Sequence, residues 1–124
     1  FWNKIKSLEF FSKTKNNLFR IVIPPSECVN LIYQFSDKFK YYVDWGGALI
    51  WMEAFELSEG MFESIRKKVV RLGGYVTMIK YSDYLPYVED VFTINRDRFS
   101  ISQNIKKSFD PKRILNPGKM YTGI

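Results

Sequence analysis

The sequence contains no histidine and a single cysteine, Cys28. Without histidine the chain supplies no Ser-His-Asp or Cys-His catalytic group, no histidine-ligated zinc and no histidine-based pH switch. One cysteine excludes an internal disulfide and a metal site built from cysteines. Small secreted domains usually need disulfides, so we expect a reducing, cytoplasmic location. We therefore predict no catalytic residue and no metal ligand in this chain, and we interpret Cys28 as a small core residue.

Long apolar runs and glycine-rich loops are missing as well. The most apolar stretch, residues 46–52, ends at Glu53 and is far shorter than a membrane span. The start, Phe1-Trp2-Asn3-Lys4, has neither a methionine nor the apolar run of a signal peptide. The glycine pairs, Gly46-Gly47 and Gly73-Gly74, are typical of turns and not of a phosphate-binding loop. We expect this chain to be a piece of a longer protein.

The composition is that of a globular domain. The chain has 124 residues, of which 46% are hydrophobic and 26% are charged. Its net charge of +6 is compatible with nucleic acid, an acidic membrane surface, an anionic substrate or an acidic protein partner. The lysines are scattered along the chain, as on a solvated surface. The aromatic share of 18% indicates an aromatic core or an aromatic surface that meets a partner.

Alternating and amphipathic segments predict the secondary structure. The apolar alternation is typical of strands in four segments: 18–23, 40–45, 48–55 and 75–80. Two amphipathic segments predict helices, one capped by Ser26 and running to Ser36, the other capped by Ser58 and running to Leu72. Gly46-Gly47 suits a tight turn between the second and third strands.

The order strand-helix-strand-strand-helix-strand is that of the ferredoxin-like split β-α-β arrangement, in the α+β class. It predicts a four-stranded antiparallel sheet of order 4-1-3-2 with two helices on one face. We take residues 1–124 as one domain, with a core over 17–81 and a C-terminal helix and tail over 82–124. The face opposite the helices is expected to be open, which favours a homodimer through the sheet face.

The remaining apolar positions predict shorter helices and core aromatics. Three residues near the start share the spacing of one helix face: Trp2, Ile5 and Leu8. Residues 83–91 are expected to hold a short helical turn, and residues 97–109 a helix. Trp45 and Trp51 are either core aromatics or aromatics of the open sheet face, and we favour the core, because one face of each strand lies under the helices.

The most specific pattern lies near the C-terminus. Phe109-Asp110-Pro111 is followed by Ile114-Leu115-Asn116-Pro117-Gly118-Lys119-Met120-Tyr121. Each half alone is common, but the two at this spacing resemble the terminal signature of FAD-linked oxidases of the vanillyl-alcohol-oxidase type. Further stretches resemble the FAD-binding subunit of bacterial glycolate oxidase, in the same order along the chain: Phe1-Trp2, Leu18-Phe19-Arg20, Asp44-Trp45-Gly46-Gly47 and Gly73-Gly74-Tyr75.

This resemblance implies a function that the chain serves only as part of a larger protein. It implies the C-terminal cap of a flavoprotein that oxidises a 2-hydroxy acid such as glycolate, with the sheet face packed over the flavin ring. The FAD-binding domain that precedes such a cap is absent, so we expect FAD in the full-length protein and none on this chain alone. The implied partners are that missing domain and the sister subunits of a glycolate oxidase complex, through which any membrane association would run.

The resemblance and the residue chemistry together give five candidate site residues. Asn116, Gly118 and Lys119 belong to the terminal signature, and we expect them near the flavin of the full-length protein. Arg20 and Lys80 are candidates for the substrate carboxylate, and the planar fork of an arginine suits that role better than lysine does. We expect the isolated chain to be inactive.

Two other function classes remain. RNA-recognition domains share this order of elements and stack bases on aromatics of the central strands, a role open to Phe19 with Trp51 or Phe55. Their Lys/Arg-Gly-aromatic signature is missing from the third strand, so nucleic acid is disfavoured. The other alternative is a free-standing ferredoxin-like domain that dimerises.

Overall fold

The computed structural model describes residues 1–11, 16–35, 37, 39–54, 57–81 and 90–124. Four strands form one antiparallel sheet: β1 (Asn17–Val22), β2 (Phe39–Asp44), β3 (Leu49–Ala54) and β4 (Tyr75–Lys80). Their order is β2-β3-β1-β4, which is the predicted 4-1-3-2 order read from the other edge. The strand order, the antiparallel pairing and the α+β class are thus confirmed.

In the described residues, four α-helices accompany the sheet: α1 (Trp2–Lys6), α2 (Cys28–Phe35), α3 (Glu59–Arg71) and α4 (Arg96–Phe109). Ser58 caps α3 as predicted, since its side chain accepts a hydrogen bond from the Met61 amide. None of the helices in the described ranges is both long and apolar enough to cross a membrane.

The core lies between the sheet and helices α2 and α3. Phe19 and Ile21 of β1 are completely buried on this face, and Phe19 stacks on Phe62 of α3 with ring centroids 5.5 Å apart. Leu31 of α2 and Ile65 of α3 complete the layer. We call this the core face of the sheet and the opposite one the second face. The predicted alternation of buried side chains in β1 is confirmed, and so are the two helices on one face of the sheet.

Several predicted boundaries are wrong, because turns lie at positions where the sequence pattern predicts a helix or a strand. Ser26 lies inside a 3₁₀ turn, Pro25–Glu27, so α2 begins only at Cys28. Trp45 belongs to a turn with positive φ at Trp45 and Gly46, so β2 ends at Asp44. Leu8 lies beyond α1 and also has a positive φ. The predicted ends at Ser36 and Phe55 lie outside the described residues.

Trp45 and Trp51 are not core residues, so the core interpretation is wrong for both: Trp51 lies on the second face and Trp45 in the turn beside it. Trp51 pairs with Arg20 of β1 and Tyr42 of β2, and residues that pair across antiparallel strands share a face. Trp45 is 59% exposed in its turn. The predicted phase of the alternation in β3 is therefore wrong at Trp51. The residues on either side of it, Ile50 and Met52, are the buried ones.

A short segment extends the sheet beyond β4. The Met78 amide donates to the Val91 carbonyl at 2.8 Å, and the Thr93 amide donates to the Val76 carbonyl at 3.0 Å. Arg66 of α3 donates to the carbonyl of Asp90 and secures the start of this segment. Val91 therefore pairs with β4 and is not helical. Residues 83–89 of the predicted helical turn lie outside the described residues.

The N-terminal segment covers the β2 side of the second face. Phe10 stacks on Tyr42 with centroids 6.3 Å apart, and Phe11 is buried. Lys40 of β2 donates to the Phe10 carbonyl at 2.6 Å and lies over the Phe11 ring. The second face is therefore covered, and not open, on this side. A homodimer through the sheet face stays a prediction.

Gly74 lets the chain between α3 and β4 pass close to the end of β1. A Cβ atom on Gly74 would lie 2.4 Å from the Val22 carbonyl oxygen and 2.9 Å from Cγ1 of Val69. Gly74→Ala is therefore expected to lower the free energy of unfolding by about 1–3 kcal/mol, measured by urea denaturation. Gly60→Ala is the control, because a Cβ on Gly60 in α3 meets nothing within 4 Å. We expect it to stabilise the chain by up to about 1 kcal/mol, and equal losses in both variants would contradict the close approach.

Candidate functional site

A cleft of about 700 Å³ opens where the second face meets α4. Strands β1 and β4 form one side of it, segment 92–95 and the first half of α4 form another, and the chain near the C-terminus closes it. Its polar side chains include two arginines and several hydroxyl groups: Arg20, Tyr75, Thr77, Arg98, Ser102 and Tyr121. We refer to it as the arginine cleft.

Arg20 reaches the arginine cleft because of its place in β1. Phe19 and Ile21 on either side of it are buried on the core face, so Arg20 stands on the second face. Its guanidinium carbon lies 5.4 Å from the centroid of the Trp45 ring, at cation–π distance. This contact orients the guanidinium while its N–H groups remain available for a ligand.

Arg98 enters the same cleft from α4. The Asn95 side chain caps this helix, accepting a hydrogen bond from the Arg98 amide at 2.8 Å. The cap fixes the first turn of α4 against segment 92–95, and Arg98 lines the cleft from that turn. Sequence reasoning missed Arg98, because an arginine in the first turn of an amphipathic helix carries no distinguishing spacing. The only available signal was the Asn95 cap that starts the helix at Arg96.

The described lining of the arginine cleft is electropositive. No acidic side chain is among the described residues that line it. In the described ranges, no carboxylate lies within ion-pair distance of Arg20 or Arg98. Unlike Arg20, Lys80 does not belong to the described lining, because it stands opposite Leu18 further along the β1–β4 pair. The structure therefore groups Arg20 with Arg98 and not with Lys80.

The tail after α4 is organised by one carboxylate. Asp110 accepts hydrogen bonds from the amides of Ile114 and Leu115, both at 2.9 Å, and pairs with Lys106 Nζ at 2.7 Å. Lys106 also donates to the Leu115 carbonyl. These hydrogen bonds to the ionised form, with Lys106 first, lower the pKa of Asp110 to about 2. The Asp-Pro half of the terminal pattern is thus a structural clamp, which we call the Asp110 clamp.

The predicted cofactor residues lie on exposed turns that follow the Asp110 clamp. Asn116 and Gly118 have positive φ angles of 44° and 67°, and Lys119 donates from its amide to the Asn116 carbonyl at 3.3 Å. Tyr121 returns to the body of the chain and packs edge-on against Phe92 and Phe99. The turn is therefore anchored on both sides while Asn116, Gly118 and Lys119 face outward.

Cys28 and the acidic residues do not form a second chemical site in the described part of the chain. No group of three or more histidine, cysteine, aspartate or glutamate side chains is placed there to hold a metal ion. Cys28 is buried, as predicted, and burial raises the pKa of its thiol, so the reactive thiolate is disfavoured.

Comparison with known sequences identifies the family. The family model described as FAD linked oxidases, C-terminal domain, matches residues 28–120, from the start of α2 into the tail. The chain belongs to this family. It is also similar to the glycolate oxidase subunit GlcE of Escherichia coli (strain K12), with 27% identity over the whole of this chain. The chain spans about a third of that relative, 32% of its length, and no solved structure matches it.

The match places both halves of the terminal pattern inside this FAD-linked oxidase domain. It includes Asp110 and the turn at 116–119, and it ends at residue 120, just before Tyr121. The arginine cleft spans the matched and unmatched parts, since Arg20 precedes the match and Arg98 lies within it.

The Asp110 clamp should open only in strong acid. The pKa of Asp110 is lowered from 3.8 to about 2, so the clamp contributes fully above about pH 4 and is lost as the pH falls through about 2. We expect the backbone amide signals of Ile114 and Leu115 in NMR spectra to titrate with a midpoint near 2.

Replacing Lys106 tests whether its pairing with Asp110 causes the lowered pKa of that carboxyl group. Lys106→Met should raise that midpoint toward 3.8, because the largest contribution to the lowered pKa is lost. Lys107→Met is the matched control on the next residue of α4 and should leave the midpoint unchanged. A wild-type midpoint near 3.8 would contradict the clamp.

Proposed function

We propose that this chain is the C-terminal cap region of an FAD-dependent 2-hydroxy-acid oxidoreductase of the glycolate oxidase type. In this proposal it covers the flavin and the substrate but supplies no catalytic base. The observation that carries the proposal is the electropositive arginine cleft on the second face of a domain from the FAD-linked oxidase family. The similarity to a glycolate oxidase subunit supports glycolate or a related acid as the substrate.

The chain would complete a flavin site that another domain holds. When bound, FAD would accept the hydride of the substrate, which is chemistry the protein itself does not provide. The turn at 116–119 fits a flavin approaching from outside, because Gly118 has nothing within 4 Å of the position of a Cβ atom. We propose Asn116, Gly118 and Lys119 as the residues of this chain that border the flavin.

The substrate carboxylate would lie against Arg20. Arg20 has the planar fork that binds a carboxylate through two parallel hydrogen bonds, and Trp45 holds it in place. Lys80 pairs with Leu18, which lies two residues before Arg20 in β1, and would contribute long-range positive charge to the same face. Neither residue is proposed to move a proton.

An exposed apolar surface supports a contact with the missing FAD-binding domain. Ile101, Ile105 and Phe109 follow one another along one face of α4, and Phe109 is 84% exposed. Ile114 and Leu115, shortly after α4, are exposed as well. A group of large exposed apolar side chains is typical of an interface. The sister subunits and the location in the cell stay predictions.

The nucleic-acid alternative loses its main support. Phe19, proposed as a base-stacking aromatic, is completely buried against Phe62 in the core. Trp51 is half-buried on the second face, and Phe55 lies outside the described residues. The dimerising domain also loses much of its proposed surface, because residues 10 and 11 pack on the β2 side.

Substituting Arg20 in the full-length protein tests the substrate role. Arg20→Gln should lower kcat/KM for the 2-hydroxy acid by about tenfold or more, mainly through KM, because one charge-assisted pair is lost. Arg71→Gln, an exposed arginine on the opposite side of the sheet, is the control and should retain activity. Unchanged kinetics in Arg20→Gln, with the flavin retained, would overturn the assignment.

Substituting Asn116 tests the flavin contact. Asn116→Gly keeps the positive φ but removes the side chain, so it should weaken FAD binding by about tenfold without unfolding the tail. Arg113→Gly is the matched control, since Arg113 also has a positive φ and lies before the proposed contact. FAD occupancy is read from the flavin absorption band, and equal occupancy in both variants would contradict the contact.

A further inference from the structure

The arginine cleft has two positive charges on different elements. Arg20 belongs to the central strand β1, whereas Arg98 belongs to the first turn of α4. Among the described lining residues there is no acidic side chain, so neither charge is neutralised within the cleft. An anionic ligand is the direct way to compensate both charges when the cleft is closed off from water.

The rest of the lining suits a short polar chain with an apolar middle. Thr77, Ser102 and Tyr121 bring hydroxyl groups to the cleft, and Phe92 and Ile101 bring apolar surface. Thr93 is less available, since its hydroxyl already accepts a hydrogen bond from the Val76 amide. Hydroxyl donors beside apolar walls are the arrangement that orients a small organic acid.

We infer that the arginine cleft binds a 2-hydroxy acid that carries a second carboxylate, with one carboxylate on Arg20 and the other on Arg98. This inference rests on the proposed function, because it takes Arg20 as the substrate-binding residue. It adds Arg98 as a residue that determines specificity, and it names a dicarboxylate as the ligand class.

Charge and size both favour this ligand over glycolate. Glycolate has one carboxylate and would leave one of the two guanidinium groups without a counter-charge. The cleft volume of about 700 Å³ is within the range of sites that take ligands much larger than a two-carbon acid. In this inference a longer dicarboxylate would pair with Arg20 of β1 and Arg98 of α4 together, whereas a two-carbon acid would pair with one of them.

Two unreactive acids of equal chain length test the inference in the full-length protein. Succinate and butyrate both have four carbons, but only succinate has a second carboxylate. Binding is measured by the rise in melting temperature with ligand concentration, which requires no turnover. We expect succinate to bind about tenfold more tightly than butyrate, or better, because one further charged pair forms.

Variants identify the residue that recognises the second carboxylate. Arg98→Gln should abolish the preference for succinate while butyrate binding stays the same. Arg96→Gln is the matched control, since Arg96 is exposed on the same helix turn but is not among the described lining residues, and the preference should persist. The melting temperature of each variant without ligand shows that it is folded, and Arg98→Lys, which keeps the charge, should retain part of the preference.

The possible outcomes separate the two proposals. Equal binding of succinate and butyrate, or an unchanged preference in Arg98→Gln, overturns the dicarboxylate inference. Failure of the flavin-loaded protein to oxidise any 2-hydroxy acid overturns the proposed function and leaves the binding result unaffected.

Discussion

Strand β1 pairs with β3 on one edge and with β4 on the other, and this double pairing determines both faces of the sheet. Because side chains alternate along a strand, burial of Phe19 and Ile21 under α2 and α3 requires Arg20 to face the other way. A register shift of one residue would bury the arginine and expose the phenylalanine. The position of the candidate site therefore depends on the same hydrophobic packing that stabilises the core.

The C-terminal part of the chain builds the other side of that site. Asn95 starts α4 beside the sheet extension, and Asp110 holds the tail at the other end of the helix. Tyr121 then returns to Phe92 and closes the cleft. The aspartate of the family's terminal pattern thus serves mainly to shape the chain, whereas the turn that follows it is presented outward. In the proposed function, this division lets a chain without histidine contribute to a redox enzyme by positioning alone.

The sheet was predictable from the sequence because its strands obey strong local rules. The alternation in β1, the Ser58 cap and the glycine pairs all agree with the observed order of elements. Trp51 was misassigned because residues 49–52 of β3 are all apolar, so the alternation has no clear phase there. Ser26 was misassigned because Pro25 starts a 3₁₀ turn before the helix. Arg20 was found from its strand, but its partnership with Arg98 depends on how α4 packs, which no local pattern specifies.

The central claim is that the second face of the sheet, with Arg20, is the face that meets the flavin and the substrate. An experimental structure of the full-length protein with FAD would test it most directly, through the position of the flavin ring relative to Arg20. We expect the ring to lie over the second face, next to the arginine cleft and the turn at 116–119. A flavin ring bound on the side of α2 and α3, or away from this chain altogether, would contradict the account.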